Sequence, residues 1–596
     1  MINLRRKRLK KALPAALFSA SLLLGSLNAA AAETGVIPSD VTPPSAAWGT
    51  FADSYKNNST DHMSPDENPA LGILSGYSSL WKTGDAWNTG TKLNQALLDA
   101  NIQKVVDITN SRTQREAEAA YYDDRRNQSY SVSDGLGPLT EAFRAYAWAS
   151  TTIDSIPADA TTTKYDDKGS AGSTDSPLGP MVKLVSTLRG SYSSTSPAKA
   201  FFQYPRPFRW SDEVVVVPQL VPAENADPTN DGGYPSGHTN AAYLAAFAMA
   251  YAVPERFQEL LTRASELGNN RIVAGMHSPF DVMGGRMMAT ALAAAILNDP
   301  DNADIKKAAY NNAHEVLLAK IGTSEDRFSN YESNKKAFTE RLTYGFTPTG
   351  DTSKPVVVPK GAEVLLETRL PYLDATQRRW VLATTGLPSG NPVLDDAEGW
   401  GRLNLFAAAD GYGAFAQDVT VNMDAAKGGF NAEDSWRNDI SGSGRLTKTG
   451  TGTLHLEGNN SYTGGTQVEL GTLEADSQTA LGNGAVTNNG GTVSEDAAGA
   501  VQIGGGFTQS ANGTLELNIS SKADVLQIQG EAALGGKLVL NFAGGFVPED
   551  GFTIIQSGSV KAGSRFASVT ATGLQSSYQT ELVYTADSVQ LRVTKK

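Results

Sequence analysis

From about Ser441 to the C-terminus the chain runs in alternating stretches of four or five residues, separated by Gly or Asn at intervals of ~20 residues. That period leaves few ways to fold. Each stretch can bury only its alternate side chains, so no single copy makes a core; stacking copies rung on rung does, and the product is a parallel β-helix. The pattern is clearest over residues 446–475 and returns at 513–519. The triplets Gly442-Ser443-Gly444 and Gly450-Thr451-Gly452 belong to its turns, because no strand-helix-strand unit follows that would make them a nucleotide loop. The earlier part of the chain is different in kind. The Ala-rich run Asn240 to Tyr251, stopped by Pro254, and the apolar run Met287 to Leu297 have the length and composition of buried helices. Both fall short of the ~20 residues that cross a bilayer.

The expectation is a multidomain protein, an all-α helical bundle followed by a parallel β-helix. Residues 33–350 form the helical domain, 351–430 a connecting segment and 431–596 the β-helix. Trp400 and residues 406–415 in the connecting segment read as apolar packing between the two. Ahead of them, residues 1–32 read as a signal peptide: a basic start (Arg5, Arg6, Lys7, Arg8, Lys10, Lys11), an apolar stretch, and the small residues Ala29 to Ala32 before Glu33. The mature chain is therefore expected outside the cytoplasm, secreted or at the cell surface, or else periplasmic, with no transmembrane span. It has no cysteine, which suits a chain that crosses a second membrane unfolded. With a net charge of −13, nothing basic enough to recruit nucleic acid is present globally; cations matter only where they cluster.

They cluster in three short stretches, which also hold two of the five histidines. In the first, Ser196 and Pro197 read as the cap and first residue of a short helix that carries Lys199; Arg206, seven residues on, returns to the same face, against an aromatic wall of Phe201, Phe202, Tyr204, Phe208 and Trp210. In the second, Pro235-Ser236-Gly237-His238 opens the Ala-rich helix, where free N–H groups and the helix dipole favour an anion and Gly237 permits close approach. In the third, Arg271 is followed by His277 and, four residues later, Asp281. Asp281 has two available partners. It can close a capping box with Ser278, or accept the Nδ1 proton of His277 and leave Nε2 free.

Lys199 to Pro207, Gly233 to Thr239, and Asn270 to Asp281 together resemble the tripartite signature of the type 2 phosphatidic acid phosphatase superfamily, which includes bacterial class A non-specific acid phosphatases and vanadium haloperoxidases. One residue departs from the pattern: Asn270 stands where the family usually has Ser. The resemblance implies hydrolysis of small phosphomonoesters without a metal or other cofactor. Lys199, Arg206, Ser236, Gly237 and Arg271 would hold the phosphate, His277 would attack phosphorus, His238 would serve as acid and then base, and Asp281 would orient His277. It also leaves two alternatives, a haloperoxidase with vanadate on His277 and a surface adhesin whose phosphatase-like domain is inactive. Residues 446–475 resemble the autotransporter-associated β-helix repeat, and 505–593 the end of a passenger domain. This implies association with the cell surface or outer membrane, with either a separate translocator or a retained stalk. No grouping of His, Asp and Glu with metal-ligand spacing is visible in the sequence outside the three stretches.

Overall fold

The computed structural model describes residues 34–543, 545–548 and 551–596. The expected signal peptide lies outside the described residues. Five helices position the site: α1 (Gln114–Arg125), α2 (Ser196–Phe202), α3 (Gly237–Ala252), α4 (Phe257–Val273) and α5 (Pro279–Asn298). Beyond its polar first turn α3 is apolar on every face, and α5 is mostly so apart from Asp281 and Arg286, so each must be surrounded by protein. From Pro279 to Leu297 every residue of α5 is buried. Although α5 is long and apolar enough to cross a membrane, all of its apolar window is buried inside the protein, as befits a core helix.

Small residues let these helices approach closely. A Cβ on Gly285 would stand 2.6 Å from the Ser236 carbonyl and 3.0 Å from Thr239 Cβ. Only glycine there allows α5 to press against the first turn of α3, where the second stretch of candidate residues sits. Ser278 caps α5 and Ser236 caps α3, each accepting a backbone N–H of the first turn. The Ser236 N–H donates to the Asp281 carbonyl at 2.8 Å, which ties the two helix starts together.

The connecting segment folds back on the helices. Val36 forms a parallel bridge with Pro355, and the Gly35 N–H donates to Gly386 O at 2.8 Å. Trp400 is fully buried, edge-on to Phe51, and donates to Glu398, whose carboxylate also accepts from Trp48 and from the Phe51 N–H. Phe406 packs on Tyr331 and Phe338 of the helical region, whereas Phe415 packs on Trp436 and Tyr462 of the repeats. The expected apolar seam is therefore present, and one continuous core runs through all three regions.

The C-terminal part is a solenoid of two parallel sheets. In one, Thr453, Thr472, Thr492 and Thr514 stack in register, and the next residues, Leu454, Leu473, Val493 and Leu515, all turn inward. Parallel strand pairing begins at Ala414–Phe415 and enters the two long sheets at Val419–Asn422, before the Gly- and Thr-rich composition sets in. It ends where the antiparallel pair Tyr578–Tyr584 and Ser588–Lys595 closes on Phe552–Val560.

Candidate active site

Lys199 sits in α2, but that helix does not reach Arg206. It begins at Ser196, so Pro197 is its second residue, and it ends at Gln203 in the left-handed region with φ 43°. Arg206 lies beyond it in extended backbone. Chain pairing, not a shared helical face, brings the two cations together: Pro205 and Gly232 form an antiparallel bridge, and Lys199 Nζ donates to Gly232 O at 2.6 Å. Gly233 then passes so close to the site that a Cβ would fall 3.1 Å from Asp281 Oδ2. The arginine expected against the aromatic wall is also different. Arg206 is held by Asp231 Oδ1 at 2.6 Å and by Met276 O at 3.0 Å, while Arg209 lies over Phe208 and binds the other oxygen of Asp231.

His277 and Asp281 make both of the contacts that the sequence offered as alternatives. Asp281 Oδ2 accepts the Ser278 N–H at 2.8 Å, closing the capping box, and lies 3.3 Å from His277 Nδ1. The capping box fixes the carboxylate, and the carboxylate faces the imidazole. His277 Nε2 is then turned toward the cations, 3.0 Å from an Arg206 nitrogen. Burial, followed by Arg206, Lys199 and Arg271, keeps the ring well below its ordinary pKa, so Nε2 is unprotonated and its lone pair accepts from Arg206. Burial raises Asp281 to about 6 and lowers Lys199 to about 7.

His238 stands at the start of α3, with Nε2 3.2 Å from the Asp124 carbonyl. A carbonyl only accepts, so Nε2 carries the hydrogen and Nδ1 is left for proton exchange. Burial and then Arg271 push this ring down to about 3. Arg271 pairs with Asp124, and its Nε–H is buried with no protein partner. A buried donor without an acceptor is costly, and a bound anion would satisfy it.

Three carboxylates of this network escaped the sequence reading. Asp231 directly precedes Gly232 and Gly233, at the entrance to the second stretch, and serves both Arg206 and Arg209. Asp123 and Asp124 end α1; Asp123 takes Arg263 and, at 2.7 Å, Asn270 Nδ2. Asn270, the one departure from the family pattern, thus makes a protein contact. A signal for the α1 pair does exist: two acids in the last turn oppose the helix dipole and call for cationic partners.

Elsewhere, rung stacking brings His455, Glu474 and Asp476 within 4.8 Å of one another, a grouping that sequence spacing had not revealed. Against the opposing effect of burial, hydrogen bonds to Asp476 and Glu474 lift His455 to about 10, so the ring is an imidazolium paired with its neighbours. A cleft of about 980 Å³ where helices meet solenoid includes none of the motif residues, and its Arg369 and Arg437 are already paired with Asp434 and Glu457.

Residues 180–304 match the PAP2 superfamily, spanning all three motif stretches, and residues 446–475 match the passenger-associated-transport-repeat. The chain carries a PAP2 superfamily domain. It is 39% identical over 106 residues to the non-specific acid phosphatase of Salmonella typhimurium, covering 18% of this chain and 40% of that protein. Other relatives include an autotransporter and an extracellular protease. The Neisserial autotransporter lipoprotein NalP of Neisseria meningitidis is 32% identical over 211 residues, or 32% of this chain and 19% of that one. The extracellular serine protease of Serratia marcescens is 31% identical over 221 residues, 31% of this chain and 21% of its own length. The chain thus spans about a fifth of the length of these curated relatives and two fifths of the phosphatase.

Proposed function

We propose that this chain is a secreted or surface-held acid phosphatase that hydrolyses small phosphomonoesters through a phosphohistidine, with no metal in the reaction. The observation that carries this reading is His277, with Nδ1 facing a carboxylate fixed by the α5 cap and Nε2 directed at converging cations. That is the arrangement of an oriented nucleophile beside a cationic phosphate cradle. Lys199, Arg206 and Arg271 supply the positive charge that a metal would otherwise bring, and the N-terminus of α3, through Ser236 and Gly237, adds donors.

In this mechanism the Nε2 lone pair of His277 forms the P–N bond as the ester P–O bond breaks, and His238 gives its proton to the departing alkoxide from Nδ1. Water then attacks phosphorus, His238 accepts its proton, the P–N bond breaks and phosphate leaves. The phosphoryl group's negative charge offsets Arg271 and raises His238 from its low value, which makes it a usable acid. The acid phosphatase relatives support the reaction class, and the passenger-like solenoid and autotransporter relatives support an extracytoplasmic location.

The test is rapid quench of the purified protein with a radiolabelled phosphomonoester. Wild type is expected to give an acid-labile phosphoenzyme, and His277→Ala, still folded, neither label nor turnover. EDTA should leave the rate unchanged and vanadate should inhibit. Normal labelling of His277→Ala, or loss of activity on chelation restored by added metal, would refute this chemistry.

A further inference from the structure

We infer that Asp124 is a positioning residue for this site, holding Arg271 so that its free Nε–H faces the phosphate while fixing the tautomer of His238. The inference rests on the phosphatase reading but on different residues. Asp124 lies in the last turn of α1 and is buried, and three groups converge on it. Arg271 NH1 from α4 binds Oδ2, Arg125 Nε binds Oδ1 at 2.6 Å, and His238 Nε2 meets the backbone carbonyl at 3.2 Å. Because one guanidinium nitrogen is committed to Asp124, Arg271 cannot swing away, and the buried Nε–H without a protein partner keeps a fixed direction.

The same helix end holds α4 itself. Asp123 binds Arg263 and Asn270, which lie seven residues apart on one face of α4, and Asp124 takes the next residue, Arg271. Asn270 therefore fills its place in the third motif by reaching α1. Two adjacent carboxylates lock both the helix and the arginine it presents.

The titratable and charged groups facing His238 are Arg271 from α4, Asp124 and Arg125 from α1, and the neutral His277 across the cradle. Asp124 is the one anion among them. It therefore favours the protonated state that the acid needs for an alcohol leaving group.

Two measurements test the assignment: phosphate binding by calorimetry, which needs no turnover, and pH profiles of kcat with an alkyl and an aryl phosphate. Asp124→Asn should weaken phosphate binding about tenfold or more. It should also move the alkaline limb of kcat to lower pH by about one unit for the alkyl ester, with no matching shift for the aryl ester, which needs no acid. In a double-mutant cycle, Asp124→Asn should add little to the loss already caused by Arg271→Gln. If the unpaired Arg271 prevents Asp124→Asn from folding, Asp124→Glu keeps the charge, displaces it by one methylene and should still weaken binding several-fold. Wild-type phosphate affinity in the folded variant, or a loss undiminished on the Arg271→Gln background, would overturn the role of Asp124. A wild type that binds phosphate without hydrolysing esters defeats the phosphatase reading and leaves the binding test of Asp124 intact; one that does not bind phosphate defeats both.

Discussion

Lys199 is the cation whose charge is most sensitive to pH, because burial and the neighbouring Arg206 bring it down to about 7. Its grip on phosphate is complete below that value and fades above it, so kcat/KM should fall as pH rises through about 7. Lys199→Arg should lift that limb out of the accessible range, even if the longer side chain lowers the maximum rate; an unmoved limb would assign it to another group. His238 is read through the leaving group. His238→Ala should cost alkyl phosphates about 10²-fold or more and aryl phosphates far less, since phenolates depart without a proton. The motif residues were legible because each stretch is local and its types are chemically specific. Their partners were not. Asp231 binds Arg206 across 25 residues, and Asp124 binds Arg271 across 147, distances at which a single sequence carries no pairing signal. The expected helical alignment of Lys199 with Arg206 failed for a related reason, since the left-handed Gln203 ends α2 before a second turn can carry Arg206 round.

In the solenoid, the ~20-residue period was enough to foresee stacked strands, because alternate burial with Gly turns has few other solutions. The period does not say which inward positions are tolerated, and Glu495 breaks the rule. It lies in register between Ala475 and Leu517, buried, with Oε1 unpartnered. Burial, reinforced by Asp524 and Asp496, raises its pKa to about 8. For an acid raised in the folded state the sign is definite: the unfolded chain gives up the proton more easily, so stability falls as pH climbs from the ordinary carboxylate range toward about 8. Glu495→Gln removes the ionisation and keeps the shape. Thermal melts should show similar midpoints for variant and wild type near pH 4.5 and a higher midpoint for the variant near pH 8. Equal midpoints at both values would mean that the carboxyl reaches solvent.

At the scale of the whole molecule, the question is where the helical region ends as a stable unit. Composition places the change near Ser441, and a cut at Gly429 falls just before it. Packing crosses that line. Arg369, buried in the connecting segment, pairs with Asp434, which also accepts from Tyr372, and Trp436 donates to Tyr372 and packs on Tyr412 and Phe415. Ending the chain at Gly429 would strand the Arg369 charge, a loss of about 3–5 kcal/mol, and uncover the aromatic side chains around it. A chain ending at Ser477 keeps Asp434 and Trp436, the strands Val419–Asn422 and Glu433–Trp436, and the rungs stacked on them through Ala475. Because every candidate catalytic residue lies between Lys199 and Asp281, the longer truncation should match the full chain in kcat and KM on a small phosphomonoester. The shorter one should melt markedly lower or aggregate. If both fold and turn over equally, the Arg369 to Asp434 junction is dispensable and the helical region stands alone; if the Ser477 chain folds but is inactive, the distal rungs contribute to the site.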